Sequence, residues 1–261
     1  MKAFELFREV VGGEWLDANA HWTVDKIKIG DENVTVTKVG TCLTATPDVI
    51  RAAGEWGAQL LITHEPTFYN HIDEFDENSR LCRMKKQLIE ENNLTIYRYH
   101  DAMHLCAVDL VNLDFINRMG WKGNFDNNMV ITLDEPVEIA DVVRGIKKNL
   151  GLKNPRVVGA TEGKVSRVLL LTGHRGGGDY RKFSEGNDFD MVIGGELCEW
   201  ADAEHVRDAA QFGEQKTLLI LGHAGSEKSS METLAFEIDE KFDGIEARYF
   251  ECGELYSYID G

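Results

Sequence analysis

The sequence predicts an α/β protein built from two similar lobes, in which largely parallel sheets are flanked by helices. Short apolar segments of strand length alternate with amphipathic segments of helix length along the 261 residues, a pattern typical of parallel sheets covered by helices. The alternation starts again near residues 125–135 without a flexible linker. We therefore predict an N-terminal lobe over residues 1–128 and a C-terminal lobe over residues 129–261, packed as one compact unit with a cleft between them.

The N-terminal lobe is predicted to begin with an amphipathic helix and then to repeat strand and helix. Thr46 is placed to cap one helix, Pro47 lies in its first turn and Gly57 lies near its end. Residues 69–78 form a charged segment without periodicity, which predicts a loop. The predicted strands are VTVTKVGTCL, AQLLIT and LTIYRY, and the helices are TPDVIRAAGEWG, SRLCRMKKQLIEENN and VDLVNLDFINRMGW.

The C-terminal lobe repeats this order after Pro136 and a new amphipathic helix, IADVVRGIKKNLG. Three of its segments align in order with three of the N-terminal lobe, so the sequence predicts an internal duplication that places Glu65 opposite Glu196 and His100 opposite His223. The predicted strands are RVVGA, SRVLLLT, FDMVIG, KTLLILG and IEARYFE, and the later helices are WADAEHVRDAAQFG and SMETLAFEIDEKF.

Composition narrows the classes of partner. The 45 Asp and Glu residues exceed the 28 Lys and Arg residues, and the formal net charge of −17 makes nucleic acids and anionic membranes poor partners. Five scattered cysteines without a C-x-x-C pair argue against a disulfide framework or a thiolate zinc site. The N-terminal segment does not resemble a signal peptide, and no segment approaches the ~20 apolar residues of a membrane span. We expect a cytoplasmic protein.

Three histidines stand at the ends of predicted strands: His64, His100 and His223. Loops at the carboxyl ends of strands carry ligand-binding groups in open α/β sheets. One such histidine is more often a hydrogen-bonded structural residue, but three together favour a binding site. Candidate ligands accompany them, because Glu65 follows His64, His104 follows His100 by four residues and Glu227 follows His223 by four.

Side chains four residues apart share a helical face, and such pairs bind cations. These imidazoles and carboxylates predict two divalent ions about 3.5–4 Å apart. The mixed donor set suits Zn, Fe, Mn, Co or Ni better than Ca or Mg, and the sequence does not choose among the five metals.

The segments around these histidines resemble a known family. LLITHEPTFY resembles the "hydrophobic strand, His-His-Pro" signature of the Nif-three-like dinuclear metal-binding proteins, often called GTP cyclohydrolase type 2 homologues. YRYHDAMH resembles their His-Thr-Asn-Leu-Asp segment, and GHAGSE resembles their Gly-His-Tyr-Ala-Ser-Glu segment. The resemblance covers essentially the whole chain. It implies two transition-metal ions per chain and a closed homo-oligomer, a hexameric ring, and this chain is too short to hold the extra middle domain of some members.

The chain departs from the family pattern at two ligand positions. Glu65 stands where the family has a second histidine, and His104 stands where the family has aspartate. The exchange retains three imidazoles and two carboxylates, so we predict that it is compensatory, with Asp101 as a candidate acceptor that orients His104. A third departure is Trp200, where many relatives carry histidine, and it leaves the participation of Glu196 open. The predicted metal ligands are His64, Glu65, His104, His223 and Glu227.

Two classes of function fit this site. The first is a metal-dependent hydrolase that acts with an activated water on a small-molecule phosphate ester, amide or ring C–N bond. In it His100 is a proton shuttle if it is not itself a ligand, and Glu65 is a base or a bridging ligand. The second is a non-catalytic metal-binding module that acts through partner contacts. No residue of the sequence identifies a purine pocket, so the cyclohydrolase name does not decide the substrate.

The glycine-rich segment GHRGGGDY leaves two further interpretations open. It is either a tight packing turn or a loop whose amides, with His174 and Arg175, contact a phosphate or substrate. It lacks the Lys-Ser/Thr of a P-loop. His21, His71 and His205 have no ligand-like neighbours in the sequence and are predicted to be ordinary surface or core histidines.

Overall fold

The computed structural model describes residues 1–126, 128–174 and 189–257. It divides into two compact units. The first unit comprises the described parts of Met1–Ala107 and Ser230–Gly261, and the second unit comprises those of Val108–Ser229. These bounds differ from the predicted lobes 1–128 and 129–261, because the C-terminal segment adds a strand to the sheet of the first unit.

The first unit contains a five-stranded sheet with the strand order β1-β4-β3-β2-β11. Its strands are parallel except for β1, which pairs antiparallel with β4. Its elements are α1 (Ala3–Val11), α2 (Gly13–Asn19), β1 (Ile27–Ile29), β2 (Lys38–Cys42), α3 (Pro47–Trp56), β3 (Leu60–Thr63), α4 (Arg80–Glu91), β4 (Thr95–Arg98), α5 (Asp101–Leu105) and β11 (Glu246–Tyr249).

The predicted ends of α3 are confirmed. The Thr46 hydroxyl accepts a hydrogen bond from the Val49 amide at 3.2 Å, Pro47 opens the helix, and Gly57 ends it with a left-handed φ of 85°. The single helix predicted at the N-terminus is interrupted instead. Gly12 has a φ of 100°, a conformation that glycine adopts without strain, and it separates α1 from α2.

The second unit contains a six-stranded sheet with the order β5-β6-β8-β9-β10-β7. Strands β8, β9 and β10 are parallel, whereas the outer pairs are antiparallel, so this sheet is mixed. Its elements are α6 (Leu110–Met119), β5 (Gly123–Asp126), β6 (Val130–Glu138), α7 (Ile139–Asn149), β7 (Arg156–Gly159), β8 (Lys164–His174), β9 (Met191–Glu196), a π-helical turn (Glu199–Ala203), α8 (Glu204–Gln211) and β10 (Thr217–Ile220).

The predicted internal duplication agrees with the topology. In the first sheet β2, β3 and β4 are adjacent and parallel, and in the second sheet β8, β9 and β10 have the same order. Apolar side chains bury each sheet, around Ile50, Leu61 and Ile96 in the first unit and around Val168, Ile193 and Leu219 in the second. Each unit therefore has its own core.

Helix α9 (His223–Lys241) begins earlier than predicted. The apolar periodicity of SMETLAFEIDEKF predicts a start at residue 230, whereas the helix already begins at His223. His223 and Glu227 are consequently one helical turn apart on the same helix, as their spacing predicts. A search of the described helices finds none with the length and apolar content of a membrane span.

Candidate metal centre

Three histidines of the first unit lie together at the carboxyl ends of β3 and β4. His64 directly follows β3, His100 lies between β4 and α5, and His104 is in α5. Their ring centroids are 4.8 to 5.2 Å apart, and each offers a ring nitrogen within 4.8 Å of those of the other two. The imidazole group, as we call these three residues, therefore has the size of a metal-ligand set.

The His64 ring is held in one tautomer. Its side chain is fully buried, and Nδ1 lies 3.0 Å from the carbonyl oxygen of Tyr99. A carbonyl only accepts hydrogen bonds, so the neutral ring carries its proton on Nδ1 and directs the Nε2 lone pair into the group. Nε2 of His64 lies 3.3 Å from Nε2 of His104. This separation fits two nitrogen ligands of one tetrahedral ion, for which bonds of 2.0–2.1 Å give about 3.3–3.4 Å.

His100 is oriented in the same manner by a carboxylate. Its Nδ1 lies 2.9 Å from Oδ1 of Asp101, which leaves Nε2 available to the group. Asp101 was predicted to orient His104, and that prediction is wrong, because the carboxylate of Asp101 contacts His100, the Thr23 hydroxyl and the Val24 amide. Asp101 directly follows His100 in the chain, so its carboxylate reaches the His100 ring.

Burial sets the protonation of this pair. Loss of solvent lowers the pKa of His100 to about 4, although the hydrogen bond to Asp101 opposes that shift. Burial of Asp101 favours a higher pKa, but hydrogen bonds from His100, Val24 and Thr23 together hold its pKa well below the usual range of a carboxyl. At neutral pH His100 is therefore a neutral imidazole beside a carboxylate, which is the form that binds a metal ion.

The sequence did not reveal Asp25, a buried residue that fixes this part of the site. Its carboxylate accepts hydrogen bonds from the backbone amides of His100, Asp101 and Ala102 at 2.6 to 2.9 Å. Burial raises the pKa of Asp25, and these three hydrogen bonds counteract the shift. Asp25 thus caps the short helix α5 from a distance of about 75 residues in sequence, and no local pattern around it indicates that role.

Glu65 lies next to the imidazole group. Its amide donates to the carbonyl of Leu43 at 2.7 Å, which fixes the backbone after β3, and its side chain is half-buried. A carboxylate oxygen of Glu65 lies within 4.8 Å of a ring nitrogen of His64. The predicted residues of the first unit, His64, Glu65, His100 and His104, are therefore brought together.

The second unit brings His223 and Glu227 together with Glu196. Nε2 of His223 lies 3.1 Å from Glu227 and Nδ1 lies 2.9 Å from Glu196, which also contacts His174 at 3.3 Å. A neutral imidazole has one N–H and can donate to only one carboxylate. This carboxylate group, as we call His223, Glu196 and Glu227, combines an imidazole with two carboxylates, which are donor types that bind transition-metal ions.

Gly173 provides the space for the buried carboxylate of Glu227. Its φ is 68°, and a Cβ at this position would lie 2.1 Å from Oε1 of Glu227. The strand β8 therefore needs glycine here. Glu196, whose participation the sequence left open, contacts His223, whereas Trp200 is largely exposed. Arg175 and the glycines 176–178 of the glycine-rich segment lie outside the described residues, and His174 is exposed beside Glu196.

We expect the stability of the metal-free protein to fall as the pH is lowered from 6.5 to about 4, the interval between the ordinary and the folded-state pKa of His100. Below the ordinary pKa the unfolded chain binds a proton at His100 that the folded chain excludes. The free energy of unfolding is therefore expected to fall by up to roughly 3 kcal/mol over this interval. Urea unfolding as a function of pH measures this. The slope of the free energy of unfolding against pH is expected to be smaller in His100→Asn than in wild type and unchanged in His205→Asn. An unchanged slope in His100→Asn would contradict the assignment.

Taken together, the fold and the two ligand groups define a two-sheet α/β protein with a candidate metal-binding site at its strand ends. Comparison with known families identifies the family of the protein. The sequence model of the Duf34/NIF3 (NGG1p interacting factor 3) family matches residues 16–252, and the chain belongs to this family.

Individual relatives agree with this membership. The chain is 24% identical over 228 residues to a Clostridium perfringens protein named "GTP cyclohydrolase 1 type 2 homolog", covering 83% of each chain. Among solved structures, a Bacillus cereus protein related to NIF3 has a TM-score of 0.74 at 15% identity, with 99% of both chains covered. The Staphylococcus aureus hypothetical protein SA1388 has a TM-score of 0.73 at 19% identity, again with 99% of both chains covered. The structural likenesses show the two-sheet α/β fold.

Proposed function

We propose that this protein binds two divalent transition-metal ions and uses them as a hydrolase of a small molecule. The observation that carries the proposal is the imidazole group, in which the rings of His64 and His100 are held in the tautomer that leaves Nε2 free. The carboxylate group of the second unit supplies His223 and Glu227 as further ligands. In this proposal both groups supply ligands to the ions, which are Zn, Fe, Mn, Co or Ni.

The chain's own residues have separate roles in this reaction. Two bound ions supply a water nucleophile at neutral pH and stabilise the negative charge that develops on a substrate oxygen. Glu65 acts as a base or a bridging ligand, since its carboxylate adjoins His64. His100 is not one of the five proposed ligands, so its Nε2 stays available to move a proton, because Nδ1 is engaged by Asp101 and the low pKa keeps the ring neutral before transfer. Asp25 holds α5, and thereby His104, in place.

The class of substrate follows from the same chemistry. Phosphate esters and amides, including cyclic amides, place negative charge on an oxygen during hydrolysis, and paired divalent ions would stabilise that charge, while a metal-activated water could also open a ring C–N bond. The name of the Clostridium perfringens relative, a homologue of a GTP cyclohydrolase, is compatible with a ring-opening hydrolysis. We therefore include nucleotides and cyclic amides among the substrates to be tested.

The test is metal content followed by turnover. Elemental analysis of the reconstituted protein is expected to give two ions per chain, and His64→Ala/His223→Ala is expected to lose them, whereas His205→Ala, at an exposed histidine of α8, keeps them. Turnover of a panel of phosphoesters, nucleotides and cyclic amides is then compared with the double variant. Turnover above that control supports the hydrolase. Metal binding without turnover on any substrate rejects the hydrolase and favours a non-catalytic metal-binding module that acts through partner contacts.

We further propose that the protein assembles into a closed homo-oligomer, a hexamer built as a trimer of dimers, and that it acts in the cytoplasm. The assembly rests on the family resemblance, and closed symmetric rings are common among homo-oligomers. Multi-angle light scattering at micromolar concentration is expected to give about six times the 29.4 kDa chain mass. A stable species with the mass of one chain would reject the assembly.

A further inference from the structure

The segment between β3 and α4, residues 64–79, is held by three basic side chains that bind its backbone carbonyls. Lys85, which is buried, donates to the carbonyl of Thr67 at 2.8 Å, and Lys28 donates to that of Ile72 at 3.1 Å. The buried guanidinium of Arg98 donates to the carbonyls of both His64 and His71. Cationic donors form the stronger class of hydrogen bonds, so this loop has a fixed backbone although many of its side chains are exposed.

Arg98 therefore couples the position of His71 to that of His64, a member of the imidazole group. The His71 ring lies against His100, with centroids 5.6 Å apart and ring planes at 80°. His71 itself is exposed, and within the described residues its ring nitrogens make no hydrogen bond to protein. Its ring nitrogens are not among the ligand atoms of His64, His100 and His104 that all lie within 4.8 Å of one another. His71 is thus a neighbour of the imidazole group on its solvent side and not one of its members.

We propose that His71 is a binding residue of the site, which donates a hydrogen bond to an oxyanion of the phosphate type bound at the imidazole group. This inference rests on the proposed metal binding and deepens it by naming a recognition residue and a ligand class. Phosphate oxygens bind divalent ions and also accept hydrogen bonds, so one oxyanion contacts the ions and the ring of His71 together. The fixed loop positions the donor before the ligand arrives, which reduces the entropy lost on binding.

The test separates phosphate binding from metal binding. Wild type, His71→Ala, His71→Phe and the control His205→Ala are loaded with Co(II), whose visible absorption reports its ligands, and are then titrated with inorganic phosphate. Both His71 variants are expected to bind Co(II) with unchanged stoichiometry and with an affinity within about twofold of wild type. Their phosphate affinity is expected to fall about tenfold, the factor that corresponds to 1.4 kcal/mol. His205→Ala is expected to match wild type in both measurements.

The phenylalanine variant decides between hydrogen bonding and packing, because it retains a ring against His100 but has no nitrogen. Wild-type phosphate affinity in His71→Phe would overturn the inference and leave His71 a packing residue. A loss of Co(II) in either variant would overturn it as well, because His71 would then belong to the ligand set. A wild-type protein that binds Co(II) but no phosphate rejects this inference alone, whereas one that binds no Co(II) rejects the proposed function together with it.

Discussion

Glu65→His and His104→Asp, made one at a time, are each expected to weaken metal binding, whereas the double variant is expected to recover most of it. Each single change alters the balance of three imidazoles and two carboxylates among the proposed ligands, and the double change restores that balance with the positions exchanged. His104→Asp also removes the nitrogen that lies 3.3 Å from Nε2 of His64. Loss of a hydrogen-bond partner outside the ligand set costs about 10- to 100-fold in metal affinity. We expect each single variant to lose more metal affinity than that.

The measurement is metal stoichiometry and affinity for the four proteins under identical loading. Wild type and the double variant are expected to retain two ions per chain at a concentration of metal where the single variants are depleted. If both single variants keep two ions with unchanged affinity, Glu65 and His104 are not ligands. If only His104→Asp loses metal, the imidazole group binds without Glu65 and the exchange is not compensatory.

Asp25→Ala is expected to destabilise the first unit by about 3 to 5 kcal/mol, a large effect for one substitution. The change leaves the buried amides of His100, Asp101 and Ala102 without their acceptor, and each unsatisfied buried donor costs about 1–3 kcal/mol. Urea unfolding measures the loss. Ser79→Ala is the matched control, because Ser79 caps α4 through a single amide, that of Cys82, and its loss is expected to cost about 1 kcal/mol.

Asp25→Asn separates the shape of the cap from its charge, since it keeps an oxygen acceptor and the size of the side chain. We expect Asp25→Asn to lower the free energy of unfolding by less than Asp25→Ala and by more than Ser79→Ala. If Asp25→Ala unfolds within about 1 kcal/mol of wild type, the amides of α5 find other acceptors and Asp25 is not the residue that holds this helix.

Local signals in the sequence predicted much of the fold and of the ligand set. The caps of α3 are set by adjacent residues, and the apolar strands before His64 and His100 have the length and composition of buried strands. The pairs His100/His104 and His223/Glu227 are each separated by one helical turn, so their proximity follows from secondary structure alone.

Residues that act over long separations in the chain were not predictable in the same manner. Asp25 and Arg98 bind backbone groups 27 to 77 positions away, and no periodicity indicates which carbonyl or amide a side chain will meet. The position of His71 was not predictable for the same reason. The sequence predicts an ordinary surface or core histidine, and only the folded loop brings its ring against that of His100. The Glu196 contact with His223 depends on the pairing of β9 with β10.

The pairing of β11 with β2 also determines when the first sheet is completed during synthesis. Residues 246–249 leave the ribosome after the whole second unit, so the open edge of β2 has no neighbour on that side while about 200 later residues are made. An unpaired edge of a parallel sheet is a template for pairing with another chain. Nascent chains truncated before Glu246 are therefore expected to aggregate more readily than full-length chains.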